Sequence, residues 1–200
     1  MIAAIVLAAG AARRMGRSKQ LLPLADKPLV WHVADTACRA GLGEVIVVTG
    51  SQRAAVAEAV AGLAVKTVHN PGWQAGQASS LRVGLQAAAP EAAAAIFLLA
   101  DQPLVSADTI RALAAAWRAG GTIVVPTADG RRGNPVLFDL GRWRGQLVAL
   151  GGDAGARGII AANPGEVLAV PVADEAIFFD VDTPDDYIRL QQLYSERKDR

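Results

Sequence analysis

A single-domain α/β fold of three layers, with a mainly parallel sheet between two layers of helices, is what the sequence predicts, on three observations. Apolar runs such as Ile2 to Leu7, Glu44 to Thr49 and Ala95 to Ala100 show no polar alternation, which is how strands covered on both faces read. Segments with helical spacing separate these runs, and such alternation closes into parallel pairs joined by right-handed crossovers. The 200 residues, 52% of them apolar, suffice for one core, so residues 1–200 are expected to form one domain.

In chain order, Ile2 to Leu7 is a buried strand and Leu7 to Leu22 a long loop. Pro28 to Ala40 places Leu29, Val33, Ala37 and Cys38 near one helical face, and Gly41 suits the helix end. Glu44 to Thr49 is a β-branched strand ending at Gly50 and Ser51, the latter read as a helix cap, and an Ala-rich helix follows to about Ala61. Val65 to Val68 is a third strand, Asn70 to Gly72 a turn, and Ser79 to Ala89 a helix. Ala95 to Ala100 is a strand that delivers Asp101 at its carboxyl end. Ser106 to Ala119 is a helix, Thr122 to Val125 a strand, and the segment after Gly130 is hairpin-like through Pro135 to Phe138. A helix starts near Asp153, and Val167 to Val170 and Ile177 to Phe179 are short strands. Thr183-Pro184-Asp185-Asp186 opens the last helix with a Thr cap, a Pro in first position and acids in the first turn, before a frayed tail from about 195 to 200.

A net charge of +1 argues against a broad basic field for nucleic acid or membrane, so neither is expected as a partner and any anion site is local. The single cysteine, Cys38, cannot form an internal disulfide and reads as a small packed residue of a reducing, cytoplasmic protein. Nothing basic precedes the first apolar run, which is the wrong charge order for a secretory leader.

In open parallel sheets ligands bind outside the carboxyl ends of the strands, which puts the first loop, Thr49, Gly50 and Asp101 along one rim. The loop LAAGAARRMGRSKQLL suits an anion. Ala8, Ala9 and Gly10 let backbone N–H groups approach phosphate oxygens, and Arg14 and Lys19 can neutralise their charge. Neither the G-x-G-x-x-G series nor the Walker pattern occurs there. LAAG, then RMG after three residues, then Lys19 and the Leu21-Leu22 pair resembles the signature loop of the pyrophosphorylase-like nucleotidyltransferases. That resemblance implies a three-layer, Rossmann-like nucleotidyltransferase fold, with Leu7, Ala8, Ala9, Gly10, Arg14, Lys19, Thr49 and Gly50 around the nucleotide.

Asp101, a carboxylate directly after an apolar strand, needs a compensating charge, and a divalent cation with a phosphate supplies one. Its DQPLV context resembles the family's metal-binding strand end. In FFDVDTPDDY, strand alternation would point Asp180 and Asp182 to opposite faces, and the resemblance favours Asp182 as the second Mg2+ ligand. HNPGWQAGQASSL resembles the family's base loop, which implies contacts from Ser79 and Ser80; Trp73 is expected to cover that loop and His69 to be a strand-end polar residue.

RGNPVLF and GDAGAR resemble a narrower group, the molybdenum cofactor cytidylyltransferases, and imply an acceptor side formed by Asn134, Asp153 and Arg157. LAAG is the cytidylyl-type loop of that group, whereas guanylyl-transferring relatives tend to have LAGG. Ala12 and GQASSL depart from the common Ser or Gly and from GMGSSL, which bears on affinity and substrate choice. The implied reaction is cytidylyl transfer from CTP to the terminal phosphate of molybdopterin or molybdenum cofactor, with Mg2+, and with Arg14, Lys19 and Asp101 as the catalytic groups. Transient contact with a molybdoenzyme or its maturation chaperone is the implied partnership. GTP or another phosphate acceptor, or a non-catalytic role as a cofactor carrier, stay open at this level.

Overall fold

The structure, a computed structural model, describes residues 1–11, 18–152, 155–173 and 175–198. Its strands and helices in chain order are β1 (Ile2–Ala8), β2 (Pro23–Leu24), β3 (Lys27–Pro28), α1 (Leu29–Ala40), β4 (Val45–Thr49), α2 (Arg53–Ala59), β5 (Lys66–His69), α3 (Gln77–Ala87) and β6 (Ala94–Leu99), followed by α4 (Ala107–Arg118), β7 (Ile123–Ala128), β8 (Arg131–Arg132), β9 (Val136–Asp139), α5 (Leu140–Ala149), α6 (Arg157–Ala162), β10 (Val167–Pro171) and α7 (Pro184–Lys198).

The main sheet has the order β10-β7-β9-β6-β1-β4-β5, with β8 extending β7, while β2 and β3 form a separate hairpin. β1 is central and parallel to both β4 and β6. Only β9, with the short β8, runs against its neighbours. The expected three-layer, mainly parallel architecture is what forms. β1 shows why its run is continuously apolar. Ala4 and Val6 enter one cluster with Val33 of α1, Val56 of α2 and Leu113 of α4. Ala3 and Ile5 enter the opposite cluster with Leu81 of α3, Trp143 of α5 and Ile159 of α6. A third cluster joins the β2–β3 hairpin, through Leu24, to Val181 and to Leu190 of α7.

Four expectations need correction. Ile177 to Phe179 is not a strand: Glu175–Phe178 forms a 3-10 turn that closes over the RGNP segment, with the Asn134 amide donating to the Ile177 carbonyl at 3.0 Å. Ser51 does not cap α2; its hydroxyl donates to the Gly10 carbonyl at 3.3 Å and ties the first loop to β4. The helix expected from Asp153 begins at Arg157. The expected frayed tail is helical as far as Lys198. α5 has no counterpart in the sequence-based expectation, because Gly141 and Gly145 dilute its pattern. Leu140, Trp143 and Leu147 nevertheless bury one stripe, and the Asp139 carboxylate accepts from the Arg142 amide at 3.0 Å.

Candidate functional site

β1 and β6 end side by side at an open cleft of about 460 Å³. One wall is the first loop, Leu7 to Ala11 with Lys19 and Gln20; another is Leu99 to Asp101; the third is Trp73, Gln74, Gly76, Gln77 and Ser80. The rim location follows from topology, since the connection after β1 leads toward β4 whereas the one after β6 leads the other way, toward β7, and a crevice opens at the strand ends where the direction reverses.

The loop is held from behind. The Gln20 carboxamide, nearly fully buried, donates to the carbonyls of Ala8 at 3.3 Å and Gly10 at 2.9 Å. The Ser51 amide donates to the Ala9 carbonyl at 3.3 Å. Each carbonyl turned toward these donors sends the N–H of the same planar peptide the other way, away from Gln20 and Ser51. Gly50 permits the close approach, because a Cβ there would stand 2.3 Å from the Ala9 carbonyl oxygen. Thr49 and Gly50 therefore support the loop and do not line the cleft; the Thr49 hydroxyl is spent on the Val68 carbonyl at 3.1 Å.

Lys19, at the start of a 3-10 turn over Lys19–Leu21, reaches Asp101 at 3.0 Å and Asp182 at 2.6 Å. Its side chain and that of Asp101 are each about three-quarters buried, at 23% and 25% exposure, while Asp182 is half exposed. Burial works against the ammonium, but the Asp101 charge and the hydrogen bonds to both carboxylates outweigh it and raise the pKa above the usual Lys value. Asp180 stands close by and is tied to the Gln102 carboxamide. Burial, with the Asp101 charge adding to it, raises the Asp180 pKa against the effect of Gln102. The strand alternation expected for Asp180 and Asp182 does not apply, since residues 179–182 are not in a strand. Asp182 is instead set by the head of α7: its amide donates to the Asp186 carboxylate at 3.1 Å, within a capping box in which Thr183 and Asp186 bond reciprocally.

Two carboxylates that converge on one ammonium are a donor set a hard cation would also satisfy, with phosphate and water completing its shell. Among the described residues no group of three His, Cys, Asp or Glu offers a fuller cage.

On the third wall Ser80 faces the cleft and Ser79 does not. The Ser79 hydroxyl lies 2.8 Å from the Gly76 carbonyl and 3.0 Å from that of Gly72, and it accepts from Asn70 at 2.8 Å. Trp73 both lines the cleft and packs on the apolar cluster beneath. Asn134 is held through its backbone at the 3-10 turn, and Arg157 is exposed at the head of α6; neither lines the cleft. Arg14 and Asp153 lie outside the described residues. Gly152 is tied to the head of α3, its carbonyl accepting from the Ala78 amide at 3.2 Å. A Cβ on Gly155 would stand 2.6 Å from Oε1 of Gln77. Gln20, Asn70, Gln77 and Asp180 are parts of the site that sequence reasoning missed. A polar residue within an apolar or turn segment was their one available signal.

The MobA-like NTP transferase domain matches residues 4–167. The chain belongs to this family. As a MobA-like nucleotidyltransferase it is 33% identical to nicotine blue oxidoreductase of Paenarthrobacter nicotinovorans, over 94% of this chain and 96% of that protein. It is 26% identical to the molybdenum cofactor cytidylyltransferase of Escherichia coli K12, over 96% of each. The crystal structure of Rv0371c from Mycobacterium tuberculosis, a complex with manganese, aligns with a TM-score of 0.82 at 33% identity, over 96% of this chain and 98% of that one. The family match takes in the first loop, the third wall and Asp101, while α7 and Asp182 lie beyond it.

Proposed function

We propose that this MobA-like nucleotidyltransferase transfers the cytidylyl group of CTP to the terminal phosphate of molybdopterin or its molybdenum-loaded form. The observation that carries the reading is the meeting of Lys19 with Asp101 and Asp182 at the mouth of a cleft walled by the LAAG loop. The similarity to a cytidylyltransferase along 96% of the chain supports the choice of base and acceptor. A terminal phosphate oxygen attacks the α-phosphorus of CTP, a new P–O bond forms, the bond to the β-phosphate breaks and pyrophosphate leaves. An ionised phosphate is already a nucleophile, so the protein contributes position and charge and needs no general base.

Asp101 and Asp182 would hold a divalent ion, Mg2+ in this reading, which when bound neutralises phosphate charge as a Lewis acid. Lys19, with Arg14 assigned from the loop pattern, faces the departing pyrophosphate. The N–H groups turned away from Gln20 and Ser51 take the remaining phosphate oxygens. Asn134, Asp153 and Arg157 are assigned to the acceptor.

The test is pyrophosphate release with Mg2+ and molybdenum cofactor, comparing CTP, GTP and ATP. Release with CTP alone is the expected result. Release with another nucleotide would keep the chemistry and reassign the base; no release from folded protein with intact acceptor would transfer the reading to another acceptor or to a cofactor carrier. Lys19→Ala and Asp101→Asn should each lower turnover roughly a hundredfold or more, the scale of one transition-state stabilising group.

A further inference from the structure

Asn70 follows β5 and is 2% exposed, with every polar atom of its carboxamide engaged. Its Oδ1 accepts from the Gly72 amide at 2.9 Å, which settles which end of the carboxamide is oxygen and which is nitrogen. The NH2 group then donates one hydrogen to Ser79 at 2.8 Å and the other to Ser80 at 3.0 Å. Both serine oxygens are therefore acceptors toward Asn70, and each must send its own proton elsewhere. Ser79 sends its proton to the carbonyl of Gly76 or Gly72. Ser80 is 5% exposed, lines the cleft, and has no acceptor for its proton among the hydrogen bonds of the described residues.

We infer that Asn70 is a positioning residue that sets the polarity of Ser80, so that this hydroxyl meets the ligand as a donor. The inference rests on the cleft being a nucleotide site and deepens that reading. The atom opposite Ser80 is a hydrogen-bond acceptor, such as a carbonyl oxygen or ring nitrogen of the base, and not an exocyclic amine. A protein that left the Ser80 hydroxyl free to rotate would accept either kind of atom there. One of the two lone pairs of Ser80 is taken by a buried amide and its proton has no partner among the described residues, so a ligand acceptor satisfies Ser80, whereas a ligand amine, which could use only the second lone pair, would leave that buried proton unpaired.

The test is calorimetric titration with CTP, without acceptor, on four proteins: wild type, Ser80→Ala, Asn70→Asp and the double variant. Asn70→Asp keeps the acceptor for the Gly72 amide but replaces the donor, drawing the Ser80 proton back from the cleft. Ser80→Ala is expected to weaken CTP binding about tenfold, the scale of one hydrogen bond. Asn70→Asp is expected to weaken it at least as much, and Ser80→Ala added to Asn70→Asp to weaken it no further. In Asn70→Asp, as in Ser80→Ala, the loss should fall on the KM for CTP more than on turnover, which separates this role from one in the chemistry. Wild-type affinity in folded Asn70→Asp, or losses that multiply in the double variant, would overturn the assignment. Where Asn70→Asp does not fold, Ser80→Ala and Ser80→Cys decide: unchanged binding in Ser80→Ala overturns the proposal, and a graded loss, smaller with the weak thiol donor than with Ala, supports it. A wild-type protein that binds no nucleotide at all would sink the nucleotide reading itself, a different outcome from a silent Asn70.

Discussion

Lys19 makes its two ion pairs with residues from distant parts of the chain, and its charge state follows from them. The folded pKa lies above the ordinary 10.5, so the stability these pairs contribute is fully present below that pH and disappears as pH rises through the higher folded value. The stability difference between wild type and Lys19→Met, measured by urea unfolding, should therefore be the same at about pH 7 and about pH 9. A difference that grows between them would mean a folded pKa below the unfolded one and would contradict the raised pKa. Asp101 was legible in the sequence because a charge at the end of an apolar strand demands a partner, and Lys19 because it is a cation in a loop whose small residues suit an anion. Gln20 and Asn70 were not. Their carboxamides are satisfied by backbone and hydroxyl groups that only the folded chain brings within reach, and an unpaired amide in a sequence looks like any surface polar residue.

α7 begins with a capping box, and the box also fixes the backbone of Asp182. The hydrogen bond from the Thr183 side chain is the main cause that lowers the Asp186 pKa; burial opposes it, and the backbone amides of Thr183 and Asp182 add to it. A lowered carboxylate pKa gives stability that is present above the unfolded value of 3.8 and is lost as pH falls through the folded value. The gap in melting temperature between wild type and Asp186→Asn should thus narrow from about pH 6 to about pH 3. A constant gap would show that the carboxylate charge plays no part. Two helical glycines make a further pair of predictions. A Cβ on Gly84 of α3 would stand 2.4 Å from Cγ2 of Ile5 in β1, so Gly84→Ala should cost about 1–3 kcal/mol by overpacking. Gly145 in α5 has open space around it, so Gly145→Ala should stabilise by about 0.5–1 kcal/mol through helix propensity. Urea titrations of the two variants read both signs. The same propensity hid α5 from the sequence: its burial stripe is real, but glycines at two of ten positions obscure it.

Across the whole molecule, the two clusters on the faces of the sheet share the central strands, while the third cluster of α7 and the β2–β3 hairpin stands apart from them. This third cluster carries Asp182, so one half of the carboxylate pair rests on the smaller of the packed units. Native-state hydrogen exchange should show β1, β4 and β6 amides exchanging only through global opening and α7 amides through a lower-energy local opening. Equal protection in α7 and β1 would mean that the third cluster unfolds only with the sheet. None of the helices among the described residues is long and apolar enough to cross a membrane.

The sequence by itself determined the layers, most of the elements and the small-residue loop at the cleft, because these depend on local period, on small residues and on charge placed at strand ends. Tertiary structure alone decided which polar groups face the cleft. Ser80 lines it while Ser79 turns inward, Thr49 stands behind the loop, and Asp180 joins Asp182 near Lys19. Each of those outcomes depends on which donor or acceptor another segment supplies, and that pairing exists only when the sheet has brought the segments together.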